Sequence, residues 1–417
     1  MASQVEKHTM VESVSEQRGM NLLVAFLNLT IAFSFGVSSL PVFYPVLARS
    51  YGWNHASVAA GGSIVLLLIG IASPLIGWLV DRYSAKSVLL AGMCTVALGL
   101  ALLSLTHDLG QYYLFCAVLG LGTCAVSILP NSILIASGFS RRRGIAVGII
   151  NAGIGLGGFI APILASSQIS ARGVPKTFLL LSLCIAIPFL LTLVAVRSSG
   201  AQTRRGDSSG HVASSTNVPG AGSLLRMPMF WIFGISLFLA AHAMIAVQQH
   251  LVLYLVGQGF NARSSALALS TVLGASAIGK ILSGAVADRF SARFMMLLSI
   301  LCVGLGIAAL ETFVDRANAV FLCAIVFGLG YGGIFNAPAL IVFEHFGTYR
   351  VGRVLGILIV FFGLGSATGG LLAGYIYDRS HGYSLPFGVD LGFACLALLL
   401  MLIGGRQTRL TPVTTAV

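Results

Sequence analysis

One basic side chain stands deep inside an apolar stretch: Lys280, in the segment STVLGASAIGKILSGAVADRF from Ser270 to Phe290. An ionisable group at depth in hydrocarbon costs at least about 2.5–3.5 kcal/mol, so it persists where it has a task or a partner. An ammonium is a compact point charge suited to a carboxylate. Ser276 and Ser283 lie four and three residues from it on the same helical stripe. Asp288 follows eight residues later, roughly 12 Å of helix rise, which is a long reach for a snorkelling lysine. Asp390 and Glu311 are the candidate internal partners; otherwise the expected partner is a substrate anion.

A second group of titratable and polar residues lies in AAHAMIAVQQHLVLY, Ala240 to Tyr254, which holds His242, Gln248, Gln249 and His250. A histidine near neutral pH can carry a proton beside a substrate. His242, His250 and Asp390 are therefore the proton-coupling candidates, against the plainer reading of hydrogen-bonded residues that pack helices. His250 lies toward the outer vestibule and is also a substrate candidate. Polar stripes run through Asn28, Ala32 and Phe35, through Thr123, Ser127 and Asn131, and through Tyr331 and Phe335. Such stripes line a cavity or form interhelical hydrogen bonds worth about 0.6 kcal/mol each. With Lys280, Ser276 and His250, the residues Asn28, Asn131 and Tyr331 complete the substrate-binding candidates. Gly148, Asn151, Gly155, Gly158 and Pro162 share one face of their segment and read as a close-packing surface.

These residues need a scaffold, and the composition names its solvent. Of 417 residues 57% are hydrophobic, 9% are charged and 50 are Gly, with a mean hydropathy of +0.95. Soluble domains carry about a quarter charged residues, so the chain is an integral membrane protein. Twelve stretches reach the roughly 20 apolar residues a spanning helix needs. They lie near residues 22–46, 57–80, 88–106, 111–136, 143–167, 175–196, 229–255, 264–287, 293–311, 317–343, 353–377 and 384–404. The Ser-, Gly- and Arg-rich residues 197–228 form the one long polar gap, a linker between two halves of six helices, 22–196 and 229–404. Residues 1–21 and 405–417 are polar tails.

Seventeen Lys and Arg residues fall on the face that carries the tails and the linker, six fall on the opposite face, and Lys280 lies between. The positive-inside rule makes the first face cytoplasmic. Glu6, Glu12 and Glu16 near the start argue against a cleaved signal peptide. The net charge of +12 reflects this topology and gives no reason to expect nucleic acid. Seven cysteines within apolar stretches lack paired spacing and read as small core residues. No cluster of Asp, Glu, His or Cys at a common depth suggests an enzyme, metal or cofactor. The absence of a long soluble segment disfavours a signalling receptor.

A short pattern recurs as GWLVDR (Gly77 to Arg82), GAVADR (Gly284 to Arg289) and GYIYDR (Gly374 to Arg379). The first two are 207 residues apart, one half of the molecule. The third ends its span on the opposite face, as expected if each half contains two three-helix units of opposite orientation. Glycine lets helices approach, and the Asp and Arg can lock one state of a rocking protein. Gly77, Asp81, Arg82, Gly284, Asp288 and Arg289 are the expected conformational latch, against a reading as static surface ion pairs.

With twelve spans, a central linker and this repeated motif, the chain from about residue 20 to 405 resembles the major facilitator superfamily. GFSRRRGIAVGIINAGIG (Gly138 to Gly155) resembles the signature before the fifth helix of monocarboxylate transporters and of the oxalate/formate antiporter group. SYGWNHASV (Ser50 to Val58) and EHFGTYRVGRVLG (Glu344 to Gly356) fit the same groups. The resemblance implies an all-α membrane fold of twelve helices, with two pseudo-symmetric halves and inverted three-helix repeats within each. Monocarboxylate transporters carry an Asp and, four residues later, an Arg on the eighth helix. Here those positions are Ser276 and Lys280, so the basic role is kept and the acidic one is not. Oxalate carriers have a second basic residue on the eleventh helix; Val354 to Tyr377 has none, which favours a single negative charge.

The expected function is transport of small organic anions, monocarboxylates first, by alternating access in a plasma or inner cell membrane. The protein would work as a monomer with both tails cytoplasmic and with a proton or counter-anion as coupling partner. The competing reading is efflux of amphipathic compounds. Against it, span five lacks the Gly-Pro pair expected of exporters in the superfamily.

Overall fold

The computed structural model describes residues 17–136, 143–196, 228–346 and 351–404. Residues 1–16, 197–227 and 405–417, and part of the signature segments around residues 138–155 and 344–356, lie outside the described residues or their described side chains. Regular structure among the described residues is entirely helical.

The twelve spans are Gln17–Tyr51, His55–Arg82, Ala85–Leu103, Leu109–Ile135, Gly148–Arg172, Val174–Ala195, Pro228–Gly257, Ala262–Arg289, Ala292–Phe313, Ala317–Val342, Leu355–Ser380 and Ser384–Gly404. They are called spans one to twelve in this order. The face where spans two and eight end is the linker face, and the opposite one is the far face. Outward-pointing side chains are large and apolar: Leu183, Val194, Ile281 and Ile403 are 71%, 82%, 69% and 62% exposed. That surface is matched to lipid.

The two halves repeat down to their caps. Span two starts where the Asn54 side chain accepts the Ser57 amide at 2.9 Å, and span eight starts where Asn261 accepts the Ser264 amide at 2.8 Å. The next spans start on Ser84, which accepts the Ser87 amide, and on Ser291, which accepts the Phe294 amide. Each cap satisfies one of the free amides at a helix start. Lys86 then donates to the carbonyls of Leu193 and Val196 at the end of span six. Arg293 donates to Met401 and Leu402 near the end of span twelve. Cations on the last carbonyls of a helix satisfy groups that have no partner within it.

Several spans are broken where proline or small polar residues disturb the helical ladder. Span one has a π-helical turn at Asn28–Phe33 and restarts at Leu40 after Ser38 and Ser39, one residue before Pro41. Span four breaks at Val126 and Ser127, shortly before Pro130, and span six breaks at Ile185, before Pro188. Proline removes an amide and crowds the preceding turn.

Spans eight and ten touch backbone to backbone. A Cβ on Gly279 would overlap the Leu329 carbonyl, and one on Gly332 would overlap the Ser276 carbonyl and lie 2.6 Å from the Lys280 nitrogen. Between the halves, Gly155 of span five faces Ala277 of span eight with no room for a methyl group, and Gly70 and Gly363 approach at their Cα atoms. Toward the far face the halves are closed: Tyr44 of span one donates to Gln249 of span seven at 3.0 Å, and Ser166 of span five donates to the Ala262 carbonyl. Toward the linker face, Gly148, Gly284 and Gly356 have open space beside them. The Tyr44 and Ser166 contacts join the two halves toward the far face.

Overpacking a close helix contact costs about 1–3 kcal/mol. Gly332→Ala is expected to lower the melting temperature of the purified protein, whereas Gly392→Ala, where open space surrounds the position, should leave it unchanged. Equal melting temperatures would contradict the contact between spans eight and ten.

Candidate functional site

Lys280 is held by its backbone. Asn336 of span ten donates from Nδ2 to the Lys280 carbonyl at 2.9 Å and to Ser283 Oγ at 3.1 Å, while Ser283 Oγ donates to the same carbonyl. With Gly332 against its amide, Lys280 sends its side chain along the seam with span ten. Its Nζ lies 4.3 Å from the centroid of Phe335, whose ring in turn meets Phe362 of span eleven edge-on. A cation over an aromatic face gains up to about 2 kcal/mol when desolvated, but the charge is not neutralised. Lys280 is 9% exposed and has no carboxylate within ion-pair distance among the described residues. The site is a buried ammonium with an aromatic backing and, among the described residues, no counter-ion.

The other substrate candidates divide among separate places. Ser276 is buried beside Gly332, and its hydroxyl donates to the Leu273 carbonyl at 2.7 Å. Tyr331, one turn from Phe335, donates to Gln248 Oε1 at 3.2 Å. Asn28 and Asn131 lie within the N-terminal half, fully buried. Asn28 Nδ2 donates to Asn131 Oδ1 at 3.0 Å, Thr192 donates to Asn28 Oδ1, and Asn131 Nδ2 donates to the Val126 and Ser127 carbonyls. This network joins the π-helical turn of span one to the break in span four, and it engages both amides with protein partners.

The proton candidates also separate. His242 and Asp390, on spans seven and twelve, face each other with Nε2 and Oδ1 3.6 Å apart. Thr368 of span eleven lies 3.0 Å from His242 Nδ1. Asp390 is thus beside His242 and not beside Lys280, and its Oδ2 has no hydrogen-bond partner. His250 lies nearer the far face, with Nδ1 3.1 Å from the Tyr383 hydroxyl and Nε2 2.8 Å from the Gly370 carbonyl. Gln249, next to it, links the halves through Tyr44 and leaves its buried Nε2 without an acceptor. A cavity of about 330 Å³ lies beyond this seam at the far face, lined by Val42, Pro45, Arg49, Val252, Val256 and Phe260 among others.

At the linker face Asp81, Arg82, Asp288 and Arg289 are exposed. The Arg82 guanidinium rests over Trp78 and Tyr83, and that of Arg289 over Phe290. Neither Asp81 nor Asp288 forms an ion pair among the described residues. Gly77 faces Leu129 of its own half, and Gly284 faces open space. The pairing of His242 with Asp390 and that of Gln249 with Tyr44 had no signal in the sequence beyond their polarity, because periodicity assigns a face but not a neighbour. Among the described residues no three His, Cys, Asp or Glu side chains converge on a metal-sized site.

Groups that share one buried contact couple when mutated, commonly by about 0.5–3 kcal/mol. The double variant His242→Leu with Asp390→Leu is expected to be less destabilised than the sum of the two single variants, measured by thermal unfolding in detergent. Additive losses would show that the two residues do not act as a pair.

Residues 25–276 and 263–415 match the family model described as Major Facilitator Superfamily. The chain is 26% identical to monocarboxylate transporter 13 of Bos taurus over 380 residues, covering 89% of this chain and 85% of that protein. It is 24% identical to the agnestins efflux protein AgnL12 of Paecilomyces divaricatus, covering 79% and 71%. The crystal structure of the nucleoside transporter NupG superimposes with a TM-score of 0.76 at 15% identity, covering 93% of this chain and 99% of that one, which establishes the shared fold alone. Twelve spans, the repeated halves and a family match over most of the length lead to one assignment: the chain belongs to the Major Facilitator Superfamily of membrane transporters.

Proposed function

We propose that this transporter carries small organic anions, monocarboxylates first, and that Lys280 binds the carboxylate. The observation that carries this reading is the buried ammonium over Phe335 without a counter-ion. In a low-dielectric site an unpaired cation is costly, and a substrate that brings the missing charge is favoured over a neutral one. A single ammonium is matched to one carboxylate. Phe335 and Phe362 offer apolar surface to the remainder of the molecule. The likeness to monocarboxylate transporter 13 supports the same class.

Access alternates by rocking of residues 22–196 against 229–404, with the linker face cytoplasmic by its excess of Lys and Arg. A bound anion shifts the equilibrium between the two states only by its differential affinity for them. Ser276 and Tyr331 shape the pocket around Lys280, while Asn28 and Asn131 hold the bent segments of the N-terminal half. Where a proton accompanies the anion, the His242–Asp390 pair and His250 are the groups that would carry it. The likeness to AgnL12 keeps efflux of amphipathic compounds as the second reading; transport of neutral compounds would then be insensitive to Lys280.

Hydrogen bonds to charged groups contribute about 1.5–3 kcal/mol, so Lys280→Ala is expected to weaken saturable uptake of a labelled short monocarboxylate into proteoliposomes by about 10- to 100-fold in kcat/KM. Lys280→Arg should retain part of it. Uptake unaffected by Lys280→Ala would overturn the assignment of the site, and saturable transport of neutral amphipaths without any acid uptake would favour the efflux reading.

A further inference from the structure

We propose that Asp378, with Gly374, is the clamp that holds the two halves shut at the far face by capping the start of span two. Asp378 belongs to the third copy of the repeated motif, GYIYDR at the end of span eleven. Its Oδ1 accepts the His55 amide and its Oδ2 the Ala56 amide, both at 2.9 Å. These are the first two residues of span two, and the next amide, that of Ser57, is taken by Asn54. A helix start presents amides without intrahelical partners and the positive end of the helix dipole, so a two-pronged carboxylate satisfies both at once. Hydrogen bonds to an ionised acceptor are the stronger kind.

Gly374 is what lets the carboxylate come so close. It lies one turn before Asp378 on the same face, and a Cβ there would fall 2.6 Å from Ala56 Cα and 2.8 Å from its nitrogen. Arg379 does not compete for the carboxylate, because its guanidinium rests over Tyr375 at 4.4 Å. The His55 ring lies against Tyr377, centroids 4.0 Å apart, and Tyr383 in turn packs against Tyr377 at 4.4 Å. Span two belongs to the N-terminal half and span eleven to the C-terminal half, so these two bonds must break before the far face can part. Of the three copies of the motif, the engaged one stands at the face where the halves meet, while Asp81 and Asp288 at the linker face accept no hydrogen bond from a described residue. A helix start held by a carboxylate across the halves is thus a switch whose closed position the structure captures.

The clamp depends on alternation of the halves and not on the identity of the substrate. Its test needs no transport. Spin labels at His107→Cys and Asp315→Cys, exposed in far-face loops of opposite halves, report the separation of the halves in full-length protein whose seven native cysteines have been replaced. Asp378→Asn keeps the size of the side chain and removes its charge and one acceptor. Gly374→Ala leaves the carboxylate and forces the helices apart. Each is expected to raise the ratio of far-open to far-closed molecules by at least about tenfold, with Arg379→Ala unchanged. If monodisperse Asp378→Asn and Gly374→Ala proteins both retain the native distance distribution, the clamp is wrong. If one of them does not fold, the other decides on the same criterion.

Discussion

The backbone contact between spans eight and ten, made possible by Gly279 and Gly332, fixes where Lys280 can point. A methyl group at either glycine would separate the helices and free the lysine to find another environment. With the contact in place, Asn336 and Ser283 occupy the Lys280 carbonyl and the ammonium is laid over Phe335. Polar side chains inside a membrane protein must find partners within the protein. For Lys280 that partner is not a carboxylate of any described residue, and the proposed preference for anions rests on this uncompensated charge.

Around this site polar contacts are layered by depth. On the far side of Lys280 come Tyr331 with Gln248, then Tyr44 with Gln249 across the halves, then Asp378 on the start of span two. The linker side lacks an equivalent set among the described residues. A carrier needs two states of comparable free energy, and a few hydrogen bonds made at one face and exchanged for others at the opposite face have the required size. Close helix contacts within each half, with caps repeated at an offset of 207 residues, are what the proposed rocking of the halves as bodies requires.

Much of this architecture was legible in the sequence. Hydropathy located all twelve spans, with ends that shift by a few residues; span one starts at Gln17 and ends at Tyr51, longer at both ends than its apolar centre because its polar flanks remain helical. Prolines near the breaks of spans one, four and six do not by themselves mark them, since Pro74, Pro162 and Pro338 lie inside continuous helices, and the π-helical turn at Asn28–Phe33 has no proline at all. The position of Lys280 was readable from its isolation. The partners were not: His242 and Asp390 meet from spans seven and twelve, and Asn28 turns to Asn131 within its own half. A hydrogen-bonding side chain on a helical face is equally consistent with several neighbours, and packing alone decides among them. The third GxxxDR copy was visible as a repeat, but its role depends on a helix start that the sequence places more than 300 residues away.

The proposed anion preference of the Lys280 site is tested most directly by competition binding to the purified protein, with a labelled short monocarboxylate displaced either by the unlabelled acid or by its primary amide. The two competitors share shape and size; the amide lacks the charge and offers one acceptor in place of two. A site built on an ammonium without a counter-ion predicts displacement by the acid and at least about tenfold weaker displacement by the amide. Equal displacement by acid and amide would contradict a charge-based site and remove Lys280 from the centre of recognition.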